Sequence, residues 1–298
     1  MTSRPTPESL RDQLVADLRL EATDDPDRFV GQNVFQPFGR VFGGQVLGQS
    51  LMAAGRTVEA ERGPHSLHAY FLRPGDPDVP IEFAVERLRD GRSFSARRTH
   101  ALQHGRPIMS MIASFQLPDT GVDHADPMPP APPPEDVPTT AEVLAGVDHP
   151  AARYWSHERP VDVRNVDGPI FLAPSANTSP DGTVWLRTPA PLPDEPLLHA
   201  AVMAFASDYS VLESVLHRHG IAWSTPGLKI ASLDHAMWFH RPARADEWLL
   251  YSHHSPSASS ARGLVLGSMF DRSGRLVATV AQEGMVRLTR DRRPSEDP

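Results

Sequence analysis

Trp238-Phe239-His240-Arg241-Pro242 restates, 168 residues later, the pattern of Tyr70-Phe71-Leu72-Arg73-Pro74. Around this pair further landmarks recur in the same order. Phe42-Gly43-Gly44-Gln45 precedes the first copy, and Ser95-Ala96-Arg97 and Gly105-Arg106-Pro107-Ile108 follow it. Phe205-Ala206-Ser207-Asp208 precedes the second, and Ser260-Ala261-Arg262 and Gly274-Arg275-Leu276-Val277 follow it. The separation stays between 163 and 169 residues. Landmarks in one order at nearly constant spacing imply a duplicated unit, and only the second copy carries a full set of reactive side chains.

Between the landmarks, hydrophobic periodicity gives each copy a helix followed by strands. In the first, Val41–Arg56 has Phe42, Val46, Leu47 and Leu51 at helical spacing, and Ser9–Leu20 is a possible amphipathic helix before it. Strand-like runs follow at Ser66–Leu72, Ile81–Leu88, Phe94–Gln103 and Arg106–Gln116, with tight turns at Arg89-Asp90-Gly91 and His104-Gly105. In the second, a short strand at Thr183–Thr188 precedes a long helix over Pro196–His217, with Pro196 suited to its first turn. Leu228–Phe239, Trp248–His254, Arg262–Phe270 and Arg275–Leu288 complete the meander. A long helix followed by an antiparallel meander is a sheet wrapped round a helix, an α+β arrangement. Pro118 to Pro150 holds nine prolines and reads as an extended linker with little packed core, apart from a short helix at Thr139–Val147. The expected organisation is an N-terminal extension (1–27), a first repeat without catalytic function (28–117), a Pro-rich linker (118–165), a catalytic second repeat (166–290) and a disordered tail (291–298).

Composition removes several function classes. The 298 residues, 40% apolar and 22% charged, suit a soluble globular chain of two domains. No apolar run approaches the roughly 20 residues that span a bilayer, and polar Met1–Pro7 is unlike a secretory signal, so a cytoplasmic location is expected. The C-terminal Ser295-Glu296-Asp297-Pro298 is not a Ser-Lys-Leu peroxisomal address. A formal charge of −8 argues against nucleic acid as a partner. The absence of cysteine excludes disulfides, thiolate catalysis and zinc–thiolate sites, and Lys229 as the sole lysine excludes most Schiff-base chemistry. No His-Glu-x-x-His zinc motif or Gly-x-Ser-x-Gly elbow occurs, so neither a metal nor a serine nucleophile is expected. Gly43-Gly44-Gln45-Val46-Leu47-Gly48 is neither a dinucleotide fingerprint nor a P-loop and reads as a place for close helix–sheet packing.

Two polar side chains stand where apolar ones belong. Leu198, Ala201, Val202, Phe205, Tyr209, Leu212 and Leu216 form one helical stripe, and Asp208 falls inside its arc. A carboxylate facing a sheet must be hydrogen-bonded, protonated or functional. In the last strand Gln282 alternates onto the face of Leu276, Ala278 and Val280, so it too points at the helix. The plainer alternatives are an Asp satisfied by backbone amides and an amide that merely caps it. Asp234-His235 looks like acid–base equipment, but neighbours on a strand point to opposite faces. His65, His68, His235 and His240 read as structural or surface histidines.

Several stretches resemble the acyl-CoA thioesterase II (TesB-type) family: Val41–Gln45, Tyr70–Gly75, Arg89–Arg97, Asp234–Pro242, Ser257–Gly263 and Gln282-Glu283-Gly284. The similarity runs from about residue 15 to 290. It implies a double hotdog fold, an acyl-CoA substrate, no cofactor, and an Asp, a Thr or Ser, and a Gln that activate water. By local motif these fall on Asp208, Ser232 and Gln282, with serine departing from members that carry threonine. Counting the repeat offsets backwards puts Gln45, Pro64 and Ala113 opposite the three, and none of that trio can act as a carboxylate base. Arg97 and Arg262, at matching repeat positions, are weak candidates for the CoA phosphates. A homo-oligomer is the default for such folds. A non-catalytic acyl-CoA binder and a double-hotdog enoyl-CoA hydratase are the competing readings. The first has no need of a buried carboxylate, and the second lacks its Asp-x-Asn-Pro-x-His segment.

Overall fold

The computed structural model describes residues 4–34, 36–37, 39–175 and 178–289, so the tail expected at 291–298 lies outside the described residues. Thirteen strands among them form one sheet. They are β1 (Glu21–Ala22), β2 (Arg28–Gly31), β3 (Gly63–Phe71), β4 (Ile81–Asp90), β5 (Phe94–Gln103), β6 (Arg106–Gln116), β7 (Asp162–Asn165), β8 (Asp181–Arg187), β9 (Leu228–Ser232), β10 (Asp234–Phe239), β11 (Leu249–Ser259), β12 (Arg262–Asp271) and β13 (Leu276–Leu288). The order is β1-β2-β4-β5-β6-β3-β10-β13-β12-β11-β8-β7, with β9 continuing beside β13. The halves join where β3 and β10 pair antiparallel, from Asp234 opposite Tyr70 to Trp238 opposite Ser66. The hairpin between β5 and β6 turns on His104 and Gly105, both at positive φ, as a two-residue turn of the favoured hand requires.

Six α-helices among the described residues accompany the sheet: α1 (Pro7–Leu18), α2 (Gly43–Gly55), α3 (Thr140–Val143), α4 (Pro150–Arg153), α5 (Pro196–Ser207) and α6 (Glu213–Arg218). Every residue of α2 from Gly44 to Ala54 is buried, and so are Ala201 to Ser207 of α5. Helices without charged residues on any side belong in a core. These two run antiparallel against each other. A Cβ on Gly44 would lie 2.2 Å from the Phe205 carbonyl oxygen, one on Gly48 would lie 2.9 Å from that of Ala201, and Gly55 abuts Leu197. The glycine-rich segment thus permits close packing of helix on helix, where the sequence suggested helix on sheet.

The structure departs from the sequence reading at three further places. The helix expected over Pro196–His217 breaks after Ser207 and resumes at Glu213. Ser207 Oγ donates back to the Ala204 carbonyl at 2.8 Å, and Ser-Asp-Tyr-Ser is a run whose side chains compete for backbone groups. The strand expected over Leu228–Phe239 divides at Leu233. There the Leu233 N–H donates to Glu283 O while its carbonyl accepts from Phe71 N–H, both at 2.9 Å, so the chain steps between two neighbouring strands. The Pro-rich linker is packed. Val137 joins a buried cluster with Trp185, Trp248, Leu250 and Phe270, Thr139 caps α3 through a capping box, and β7 pairs with β8. No helix among the described residues is long and apolar enough to cross a membrane.

Candidate active site

Asp208 is the residue at which α5 stops, Ser232 ends β9, and Gln282 lies on the inward face of β13. The break after Ser207 and the step at Leu233 bring the three together. Ser232 Oγ donates to Asp208 Oδ1 at 3.0 Å, and the Gln282 amide nitrogen lies 2.9 Å from both Asp208 Oδ1 and Ser232 Oγ. Gln282 is completely buried. Because α2 and α5 are antiparallel, the end of α5 meets the start of α2. A Cβ on Gly43 would fall 2.7 Å from Asp208 Oδ2, so only a glycine lets the helix N-terminus approach the carboxylate this closely. Burial pushes the Asp208 carboxyl above the usual carboxylate range, while the positive charge that His235 can carry, the bonds from Gln282 and Ser232 and the Gly44 amide oppose that rise.

Sequence reasoning dismissed a fourth member. His235 points inward from β10, 1% exposed, with Nδ1 hydrogen-bonded to the Gln282 carbonyl oxygen and Nε2 3.0 Å from Ser207 Oγ. Its neighbour Asp234 does turn to the other side, accepting from Glu283 N–H at 2.8 Å. Alternation along the strand was therefore correct and the inference from it was not, since the inward residue of the pair is the one that meets the site. Burial pushes the His235 imidazole below its ordinary value, and the nearby Asp208 carboxylate works against that. The repeat held the missing signal. Leu67 lies 168 residues before His235 and pairs with Ala113 on β6, so an apolar pair in the first copy becomes His–Gln in the second.

Asp208 and Ser232 open on a cavity of about 630 Å³. Phe42, Val46, Phe71, Ile108 and Met109 give it an apolar wall, and the exposed Arg40 and Arg73 stand at its edge. The opposite wall comes from the linker and the broken helix. Phe42 stacks on Tyr209 with ring centroids 4.5 Å apart, and the Tyr209 hydroxyl meets that of Tyr154 at 3.1 Å. Glu213 accepts from Trp223 Nε1 at 3.0 Å and Asn165 Nδ2 at 2.9 Å, and burial pushes its carboxyl up to about 7.

The remaining sequence candidates separate. Arg97 is 1% exposed and is corrected from a phosphate contact to a structural arginine. Its Nε donates to Thr57 Oγ1 at 2.9 Å, and its other nitrogens reach Thr57 O, Arg89 O, Ala96 O and the Asp90 carboxylate. Arg262 is exposed but pairs with Glu283 at 3.0 Å, on the face of β13 opposite Gln282, and is not part of the cavity wall. Gln45 is not the structural counterpart of Asp208. It sits in the first turn of α2, where its amide accepts from Val34 N–H and donates to Gln32 O, Asn33 Oδ1 and Gln49 Oε1. Counted from the helix starts, Gly43 and Pro196, the counterpart of Asp208 is Gly55.

Comparison with known proteins matches both halves of the chain. The family model of the acyl-CoA thioesterase N-terminal domain matches residues 33–116, and that of acyl-CoA thioesterase matches residues 169–285. Acyl-coenzyme A thioesterase 8 of Homo sapiens is 39% identical over 95% of this chain and 91% of its own. Acyl-CoA thioesterase 2 of Haemophilus influenzae is 37% identical over 91% of this chain and 96% of its own. The crystal structure of acyl-CoA thioesterase II TesB2 from Mycobacterium marinum superposes with a TM-score of 0.75 at 43% identity, covering 93% of this chain and 98% of that one. A protein of hot dog fold from Alicyclobacillus acidocaldarius superposes equally well, TM-score 0.75, at 20% identity over 93% of this chain and 99% of its own, a likeness of fold alone. With both halves matched and relatives of this identity spanning the chain, the protein belongs to the acyl-CoA thioesterase family, a thioester hydrolase built as a double hotdog.

Proposed function

We propose that the chain hydrolyses acyl-CoA to a free fatty acid and CoA by direct attack of a water held by Asp208, Ser232 and Gln282, without a covalent enzyme intermediate. The observation that carries this reading is one carboxylate, one hydroxyl and one carboxamide within 3.0 Å of each other at the wall of an apolar cavity. Asp208 accepts a proton as the water oxygen bonds to the thioester carbon, and returns it to the departing CoA thiolate as the carbon–sulfur bond breaks. Burial raises the Asp208 carboxyl, which favours its taking up the proton of the attacking water. Ser232 and Gln282 fix the line of attack. The start of α2 at Gly43, beside Asp208, offers a helix N-terminus to stabilise the oxyanion. The acyl chain lies along Phe42, Val46 and Phe71, and Arg40 and Arg73 at the cavity edge meet the CoA phosphates.

The test is release of free thiol from octanoyl-CoA and palmitoyl-CoA by the purified chain. Turnover above the uncatalysed background is expected, and no release at any acyl length would sink the proposal.

A further inference from the structure

The bonds around Gln282 leave its carboxamide one consistent orientation. Its nitrogen faces Asp208 Oδ1 and Ser232 Oγ, each at 2.9 Å, and its oxygen faces His235 Nδ1. Turned over, the amide would aim its oxygen at the Asp208 carboxylate, two acceptors against each other inside a buried site. The orientation that serves an ionised Asp208 therefore requires a proton on His235 Nδ1. His235 Nε2 lies 3.0 Å from Ser207 Oγ, a second contact that fixes the plane of the ring. His235 and Gln282 thus form a chain of defined direction that ends on Asp208.

Packing does not require this histidine. At the matching place in the first half Leu67 stands opposite Ala113, and both are fully buried. The same sheet position is filled without a polar group, whereas burying His235 and Gln282 costs desolvation that the apolar pair avoids.

We infer that His235 is a positioning residue: its Nδ1–H holds the Gln282 carboxamide so that the amide nitrogen faces Asp208 and Ser232. The inference rests on the proposed roles of Asp208, Ser232 and Gln282. His235 itself does not line the cavity.

Two measurements test it. In the first, thioester turnover is compared for His235→Leu and His235→Asn. Leucine, the residue of the matching position, removes the donor. It should lower kcat about 100-fold, the scale of a misplaced catalytic group, with KM moving less than about threefold. Asparagine places an N–H near the Nδ1 position and should stay within about tenfold of the parent. In a Gln282→Ala background, His235→Leu should cost less than about threefold more, because the group it positions is gone. An asparagine variant as impaired as the leucine one, or an equal cost in both backgrounds, overturns the proposal. The second measurement reads the ring directly, by 15N NMR of the parent at neutral pH, with His235 identified by its absence from the His235→Asn spectrum. A proton on Nδ1 is expected. A bare Nδ1 overturns the proposal whether or not the protein turns over acyl-CoA, so failure here is distinct from failure of the hydrolase reading, and it remains decisive should the leucine variant not fold.

Discussion

The two ends of the α2–α5 pair are built alike and used differently. At one end α5 stops on Asp208 against the glycines that open α2. At the other α2 stops on Gly55, and the side chain of Leu197 from the start of α5 fills the space. The sheet beneath repeats the contrast, with His235 against Gln282 in one half and Leu67 against Ala113 in the other. All four of those residues are buried, so both versions are compatible with the same backbone. An apolar filling is the easier one, because polar groups must find partners once water is removed. The half that carries the polar filling has kept something other than packing, and the half without it completes the cavity and supplies the helix start that Asp208 faces.

That contrast breaks most sharply at the carboxylate. Asp208→Asn keeps the shape and removes the base, and kcat for acyl-CoA hydrolysis should fall about 1000-fold with the melting temperature little changed. Gln45→Leu, in the first turn of α2, should do the reverse. It strands the donors and acceptors of Val34, Gln32 and Asn33, lowering stability by about 2–3 kcal/mol in urea unfolding while kcat stays within about threefold. Turnover by Asp208→Asn at the parental rate would move the base elsewhere.

The seam itself is tested by Gly44→Ala. The added methyl would lie 2.2 Å from the Phe205 carbonyl, so the helices must part. About 3 kcal/mol of stability should be lost in urea unfolding, with a tenfold or greater fall in turnover as Asp208 is drawn from α2. Loss of stability with undiminished kcat would show that the helix start is irrelevant to the chemistry.

A last test, of stability alone, concerns Glu213, on the cavity wall contributed by the second half. Its folded carboxyl is raised to about 7 from 4.5, so the folded state holds the proton more tightly than the unfolded chain. Its contribution to stability is therefore fully present below pH 4.5, falls as pH rises towards 7, and is constant above that. Glu213→Gln lacks this titration. Between pH 4.5 and 7.5 the stability of the variant relative to the parent should rise by roughly 3 kcal/mol, read from urea midpoints at the two pH values. Parallel curves would show that burial does not raise the Glu213 carboxyl.

Much of this was legible along the chain. The duplication, the helix-then-meander order, the inward face of Gln282 and the anomaly of Asp208 all follow from period and spacing, which are local properties. Hairpins such as β5–β6 declared themselves through His104-Gly105. The failures were of another kind. A constant offset aligned Gln45 with Asp208, but the loops between helix and sheet differ in length, so equivalent helix positions do not share the offset of the strands. Arg97 and Arg262 looked interchangeable at matching positions, and burial separated them. The linker prolines suggested an extended segment with little packed core, yet Val137, Tyr154 and Arg159 are buried and the last two line the cavity.

By itself, then, the sequence determined which residue types recur, which elements they form and which polar side chains are out of place, because these depend on neighbours a few positions away. Only the tertiary structure decided that α2 and α5 lie antiparallel, that the break after Ser207 and the step at Leu233 bring Asp208, Ser232 and Gln282 within 3.0 Å, and that His235 stands behind them. Those contacts join residues 24 to 74 positions apart. They are fixed by helix packing and strand register together, which no local pattern encodes.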